Sequence, residues 1–122
     1  MKRNWDMIRE ILTKVEACTL PTDTVQLSDF PDEKAAEASY HVELLINAGL
    51  IDGQMVKTLG PGVNAFFADR LTWEGHEFLD VIRSDTVWKK TKKKFADKGI
   101  SMTIDLVKEV AMSVAAVLLK AG

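Results

Sequence analysis

The stretch that joins two helix signals through two strand signals constrains the fold of this 122-residue chain most strongly. It begins with "LLINAGLI" at residues 44–51, where Gly49 fits the left-handed position that ends many helices. It closes with "LTWEGHEFL" at residues 71–79, where Thr72 fits the N-cap of a new helix. The segment between them therefore predicts a β-hairpin held between two helices.

Two turn signals compete for the tip of that hairpin. Asp52-Gly53 is a pair favoured at tight turns, and Gly60-Pro61-Gly62 interrupts any strand. Of these alternatives we favour a tip at residues 60–64, and we interpret Asp52-Gly53 as a bulge or kink within the first strand.

The remaining elements follow from apolar spacing and capping residues. A first helix has Asn4 as its N-cap and ends near Cys18, because Pro21 disfavours continuation. A short strand or extended arm around Val25 precedes a second helix that begins near Asp32. A fourth helix begins at Ser84 or Asp85 and ends at Gly99, and a last helix spans residues 103–120.

The predicted order is helix, short strand, helix, strand, strand, helix, helix, helix, a mainly α fold with a small β-hairpin (α+β). This order favours a winged-helix-like domain at residues 1–84, in which the usual second helix is truncated. Residues 85–122 then form a C-terminal helical extension. The predicted core includes Trp5, Leu45, Leu71, Trp73, Phe78 and Leu79.

Composition limits the class of protein. The chain is long enough for one domain with its own core, and the lone cysteine, Cys18, cannot form an internal disulfide. The start "MKRNWDMIREIL" lacks the apolar stretch of a secretory signal, so we expect a cytoplasmic protein. A net charge of −2 conceals an asymmetry: residues 1–84 carry eight basic and fourteen acidic residues, and residues 85–122 carry eight and four.

Three stretches carry a family resemblance. "MKRNWDMIREIL", "HVELLINAGLI" and "RLTWEGHEFLDVIRSDTVWKKTK" resemble a group of small bacterial and phage proteins known as domain of unknown function 2513. The resemblance extends to about Phe95 and more loosely into the last helix. It implies a winged-helix-like fold and a mobile-element setting, and it implies no reaction or catalytic residue.

The helix that a winged-helix protein would place in the major groove is acidic. Residues 32–48 have a net charge of −3, and they begin with two carboxylates where base contacts are usually made. Phosphates would repel them, so we interpret this surface as protein-binding. The predicted contact residues are Asp32, Glu33 and Glu37.

A cluster of lysines provides the alternative, a nucleic-acid contact. The cluster follows Trp88, and an exposed charged face beside an apolar stripe would explain it equally well. The lysines are Lys89, Lys90, Lys92, Lys93 and Lys94.

The last helix is apolar over more than one stripe, yet it is too short and too charged to predict a membrane span. We expect it to pair with a second copy, antiparallel, to form a homodimer. The residues assigned to this contact are Leu106, Val110, Val114, Val117 and Leu118.

No catalytic or metal-binding constellation is predicted, and no cofactor is expected. His41 and His76 are interpreted as packing or surface residues, and Cys18 as a small buried apolar residue. The first functional hypothesis is a non-enzymatic protein-binding adaptor or inhibitor of phage or mobile-element type. The alternative is a dimeric winged-helix transcriptional regulator that binds duplex DNA.

Overall fold

The first helix, α1 (Trp5–Glu16), forms as its apolar spacing predicts. In the computed structural model, which describes residues 1–57 and 60–121, the Oδ1 of Asn4 accepts a hydrogen bond from the Met7 N–H at 3.1 Å. This N-cap satisfies one of the backbone donors that every helix start leaves free. The buried face of α1 comprises Met7, Ile8, Ile11, Leu12 and Val15.

A short extended segment separates α1 from the second helix. Strand β1 (Val25–Gln26) leads into a 3₁₀ turn at Leu27–Asp29. A second 3₁₀ turn at Asp32–Lys34 runs directly into α2 (Ala35–Asn47). Gly49 follows α2 with φ of 77°, the left-handed conformation predicted from "NAGL".

Strands β2 (Ile51–Val56) and β3 (Ala65–Leu71) form the predicted antiparallel hairpin, with its turn where we placed it. Strand β1 pairs with the other edge of β3, so the sheet order is β1-β3-β2. The pairing register shifts between Asp52 and Gly53, which confirms the predicted bulge. A side chain at Gly53 would meet the backbone carbonyl oxygen of Phe67, so this close approach requires glycine.

The end of α2 and the start of α3 (Trp73–Ile82) are joined through Thr72. Its Oγ1 donates to the Gly49 carbonyl oxygen at 2.6 Å and accepts from the Gly75 N–H at 3.0 Å. The Thr72 N–H also donates to the Leu50 carbonyl oxygen at 3.1 Å. One threonine therefore caps α3 and fixes the turn after α2.

The chain divides into two compact units, Met1–His76 and Glu77–Gly122, and the division falls inside α3. The second unit contains the rest of α3, then α4 (Asp85–Lys98) and α5 (Ile104–Ala121). The Oγ of Ser84 caps α4 by accepting from the Val87 N–H at 3.2 Å, and Gly99 ends it with φ of 65°. The domain limits of 1–84 and 85–122 stay a prediction.

The predicted fold class, mainly α with a small antiparallel sheet, is confirmed, as is the order of helices and strands. The predicted burial of Trp73 is wrong, because 76% of its surface is exposed. At about 100° per residue, Phe78 and Leu79 lie roughly 140° and 240° around α3 from Trp73, on the opposite side of the helix. Trp5 is half-buried, whereas Leu45, Leu71, Phe78 and Leu79 are buried as predicted.

Candidate functional site

The acidic residues at the start of α2 divide into two kinds. Asp32 and Glu33 are exposed in the 3₁₀ turn that precedes the helix, and we call this pair the acidic turn. Glu37 is half-buried, and its Oε1 accepts a hydrogen bond from Nδ2 of Asn4 at 3.0 Å. Glu37 therefore connects α2 to the start of α1, and only the acidic turn presents two exposed carboxylates to a partner.

His41 is fully buried and both of its ring nitrogens are used. Its Nε2 accepts from the Asn4 backbone N–H at 2.7 Å, so its Nδ1 carries the proton and donates to the Glu37 carbonyl oxygen at 2.7 Å. This histidine packs α1 against α2. His76 is exposed, with Nδ1 3.9 Å from Oε2 of Glu16. The interpretation of both histidines as packing or surface residues agrees with this geometry.

Cys18 lies between two shallow clefts of the first unit. Partial burial raises the pKa of its thiol above the ordinary value, and the carboxylates of Asp23 and Asp29 raise that pKa further. A thiol held protonated in this way is a weak nucleophile. Among the described residues, no group of three or more metal-ligating side chains has the geometry to hold an ion. The larger cleft, of about 400 Å³, is lined by Lys14, Ala17, Cys18, Asp23, Thr24, Val25 and Asp29.

The five clustered lysines do not form one surface. Lys92 is half-buried, with Nζ 5.5 Å from the centroid of the Trp88 ring, which is a cation–π distance. Lys93 pairs with Asp97 at 2.8 Å, one turn along α4. Lys89 is exposed and is not among the lysines that line the groove beside α5, which are Lys90, Lys93 and Lys94.

A groove runs between α4 and α5 in the second unit. It encloses about 330 Å³, with cationic side chains on the α4 side and mainly apolar ones on the α5 side. We call it the lysine groove. Its lining residues are Lys90, Lys93, Lys94, Asp97, Ser113, Val114, Val117 and Leu118.

The residues predicted for oligomerisation differ in exposure. Leu106 and Val117 are exposed, the latter by 65%, while Val110 and Leu118 are half-buried. Val114 is only 4% exposed, so it contributes mainly to the packing of its own chain and offers little surface to a second one. None of the helices in the described ranges is long and apolar enough to cross a membrane.

The exposed apolar side chains that the sequence reasoning did not name include Phe67 on the sheet and Met112 on α5. On the outer face of the sheet, Phe67 pairs with Gln54 of β2 and with Gln26 of β1, and it is exposed. The alternation of "AFFADRL" contains that signal, since Phe66 and Phe67 must point to opposite faces. Met112 and Leu119 of α5 are also exposed. The sequence contained this signal, because the apolar residues of α5 cover more than one stripe of the helix.

Comparisons with known proteins agree with the resemblance seen in the sequence. A family model with the description "Hypothetical protein (DUF2513)" matches residues 2–101, which include every element from α1 to α4. An "Uncharacterized protein" of Haemophilus influenzae is 39% identical over 114 residues, covering 93% of this chain and 95% of the relative. No solved structure matches. The winged-helix comparison therefore stays a prediction.

Proposed function

The chain belongs to the family described as "Hypothetical protein (DUF2513)", and we propose that it acts as a non-enzymatic adaptor or inhibitor that binds another protein. The observation that carries this proposal is the acidic turn. Asp32 and Glu33 are exposed at the start of α2, where a helix that reads DNA would place groups able to approach phosphates. The mobile-element setting and a cytoplasmic location are parts of the same proposal.

The acidic turn is suited to a partner with a cationic surface. Two adjacent carboxylates on a rigid helix start attract such a surface and orient it, since charge complementarity contributes mostly to association rate and specificity. The helix N-terminus itself favours negative charge, so the turn is stable without a partner. A host protein that binds nucleic acid has the required charge.

Charge reversal tests the proposal. The variant Asp32→Lys/Glu33→Lys keeps Glu37 and so keeps the hydrogen bond to Asn4. A matched control, Glu74→Lys/Asp80→Lys, reverses the same number of exposed charges on α3. Each immobilised protein is exposed to a nuclease-treated host lysate, and retained proteins are quantified by mass spectrometry.

We expect the lysate to contain a protein that is retained by the parent and by the control but not by the Asp32→Lys/Glu33→Lys variant. Its purified form should bind the parent at least about tenfold more tightly than it binds that variant, by calorimetry. Equal retention by all three proteins would contradict the proposal.

The lysines of α4 favour a second candidate, a dimeric regulator that contacts duplex DNA. Lys89, Lys90 and Lys94 are exposed on one short helix, and the charge balance of residues 85–122 is positive. Random-sequence duplex should then bind at about 50 mM salt, with an affinity that falls steeply as salt rises, because released counterions drive such binding. If no duplex binding is detected at micromolar protein concentration, the DNA-binding candidate is contradicted and only the protein-binding proposal stands.

A further inference from the structure

The lysine groove has an apolar wall that continues beyond its own lining. Along α5, four small or apolar residues recur at spacings of four, three and four, the spacing of a coiled-coil seam. We call this set the α5 stripe. Its members are Leu106, Val110, Ser113 and Val117.

The α5 stripe is distinct from the face that α5 buries. At about 100° per residue, the stripe is centred roughly 100° around the helix from the line of Val107, Ala111 and Val114, which are buried. Ser113 and Val117 belong to both the stripe and the lysine groove. The groove therefore lies between the stripe and α4, and a third helix placed there would contact both α4 and α5.

We propose that the lysine groove is the docking site for α5 of a second copy of this chain, in a parallel two-fold pair. Each α5 lies in the groove of the other copy, and the two stripes meet along the axis. The α4 and α5 helices of both copies then form a four-helix bundle. Two 18-residue helices alone would meet over only about 27 Å, so the contact with the second α4 contributes to the stability of the pair.

Charge complementarity identifies the occupant and its direction. Asp105 and Glu109 are exposed on α5, roughly 110° and 70° from the centre of the stripe and on the side away from its own α4. In a parallel pair this acidic edge lies on the same side as α4 of the other copy and level with the C-terminal part of that helix, where Lys94 and Lys98 are exposed. Residues 99–103 form a short connection between the two helices, so the first turns of α5 lie near the end of α4.

An antiparallel pair, which the sequence alone led us to expect, reverses this arrangement. Both α4 helices would then lie on the same side of the α5 pair, with lysines facing lysines and acidic edges facing each other. Like charges that face each other oppose association, so they disfavour the antiparallel pair. The groove itself retains positive charge, because Asp97 offsets one of its three lysines.

Disulfide trapping in a Cys18→Ser background tests the direction. In a parallel pair, position 117 of one copy lies next to position 117 of the other. Mild oxidation of the Val117→Cys variant should therefore convert most of its molecules into covalent dimers. Leu119→Cys, exposed but roughly 150° from the stripe, serves as the control and should stay monomeric under the same conditions. A mixture of Leu106→Cys and Val117→Cys chains should give the two homodimers. A dominant mixed disulfide would show the antiparallel pair and overturn the proposal.

Sedimentation and a charge exchange test the groove. The full chain should sediment at twice its 13.6 kDa mass, and the exposed-site variant Leu106→Glu/Val117→Glu should be a monomer with unchanged helical circular dichroism. Asp105→Lys/Glu109→Lys should weaken dimerisation about tenfold, and adding Lys94→Glu/Lys98→Glu should restore it. A parent chain that is monomeric at high micromolar concentration, or a charge exchange without rescue, would overturn the proposal.

Discussion

The backbone N–H of Asn4 donates a hydrogen bond to Nε2 of His41 at 2.7 Å, joining the start of α1 to the middle of α2. The same asparagine caps α1 with its Oδ1 and donates from its Nδ2 to Glu37. Two of these three hydrogen bonds reach α2, so one residue both caps α1 and helps to fix the angle at which the two helices meet. The acidic turn lies just ahead of this junction, so its carboxylates are held on a rigid base.

Removing the His41 ring should destabilise the first unit. In His41→Leu the Asn4 N–H loses its side-chain acceptor, and a hydrogen bond of this kind contributes about 0.5–1.5 kcal/mol. We expect a lower free energy of unfolding by urea denaturation. His41→Gln, which keeps an acceptor on a side chain of similar reach, should recover part of the loss. Equal stability of parent and His41→Leu would show that this hydrogen bond has no structural role.

Gly75 should not tolerate a methyl group. A Cβ at this position would overlap the backbone carbonyl oxygen of Leu50, which cannot move without disturbing the turn after α2. Alanine favours helices over glycine by about 1 kcal/mol, yet overpacking against backbone costs about 1–3 kcal/mol or more. Gly75→Ala should therefore lower the melting temperature. Gly60→Ala, where a Cβ meets none of the described residues within 4 Å, is the control and should change the melting temperature little.

The Thr91 hydroxyl should be dispensable. Its Oγ1 is buried and has no hydrogen-bond partner among the residues that the structure describes. The folded state therefore includes the free-energy cost of transferring that oxygen out of water. Thr91→Val keeps the shape and replaces the hydroxyl by a methyl group. We expect a free energy of unfolding that is unchanged or higher by about 1 kcal/mol. Thr91→Ser, which keeps the hydroxyl and removes the methyl group, should be less stable than the parent, and the reverse order would contradict this assignment.

Cys18 should react slowly with thiol reagents near neutral pH. Because burial and the carboxylates of Asp23 and Asp29 raise its pKa, a smaller fraction is thiolate than in an ordinary free cysteine. The iodoacetamide alkylation rate should therefore increase with pH and continue to increase beyond the range in which an unfolded control levels off. The unfolded protein in guanidinium provides that control. Identical pH profiles for the two states would contradict the raised pKa.

Local signals in the sequence predicted local structure well. Asn4 and Ser84 cap their helices through the N–H three residues ahead, and Gly49 and Gly99 adopt the left-handed conformation. Each of these features depends on a few neighbouring residues, so the sequence contains the whole argument. The bulge at Asp52-Gly53 also followed from a local pair.

Features that depend on distant residues were not predicted. Glu37 was assigned to a binding surface because nothing near it in the sequence indicates its hydrogen bond to Asn4, 33 positions away. Val114 was assigned to an interface because its apolar neighbours on α5 do not reveal which stripe packs in its own unit. Trp73 is a different case: its position opposite Phe78 could have been calculated from the helix period, and grouping the aromatics by hydrophobicity alone produced the error.

Hydrogen–deuterium exchange of the chain with its captured protein partner measures most directly whether the acidic turn is a protein-binding surface. The N–H groups at the start of a helix have no partner within that helix, so they exchange quickly unless a bound surface covers them. We expect exchange at residues 31–37 to slow when the partner is added, and to stay fast in the Asp32→Lys/Glu33→Lys variant. The assignment of the acidic turn as a protein-binding surface would be contradicted by two results together. Exchange at residues 31–37 would stay unchanged with every captured protein, and exchange in α4 would slow on addition of duplex DNA.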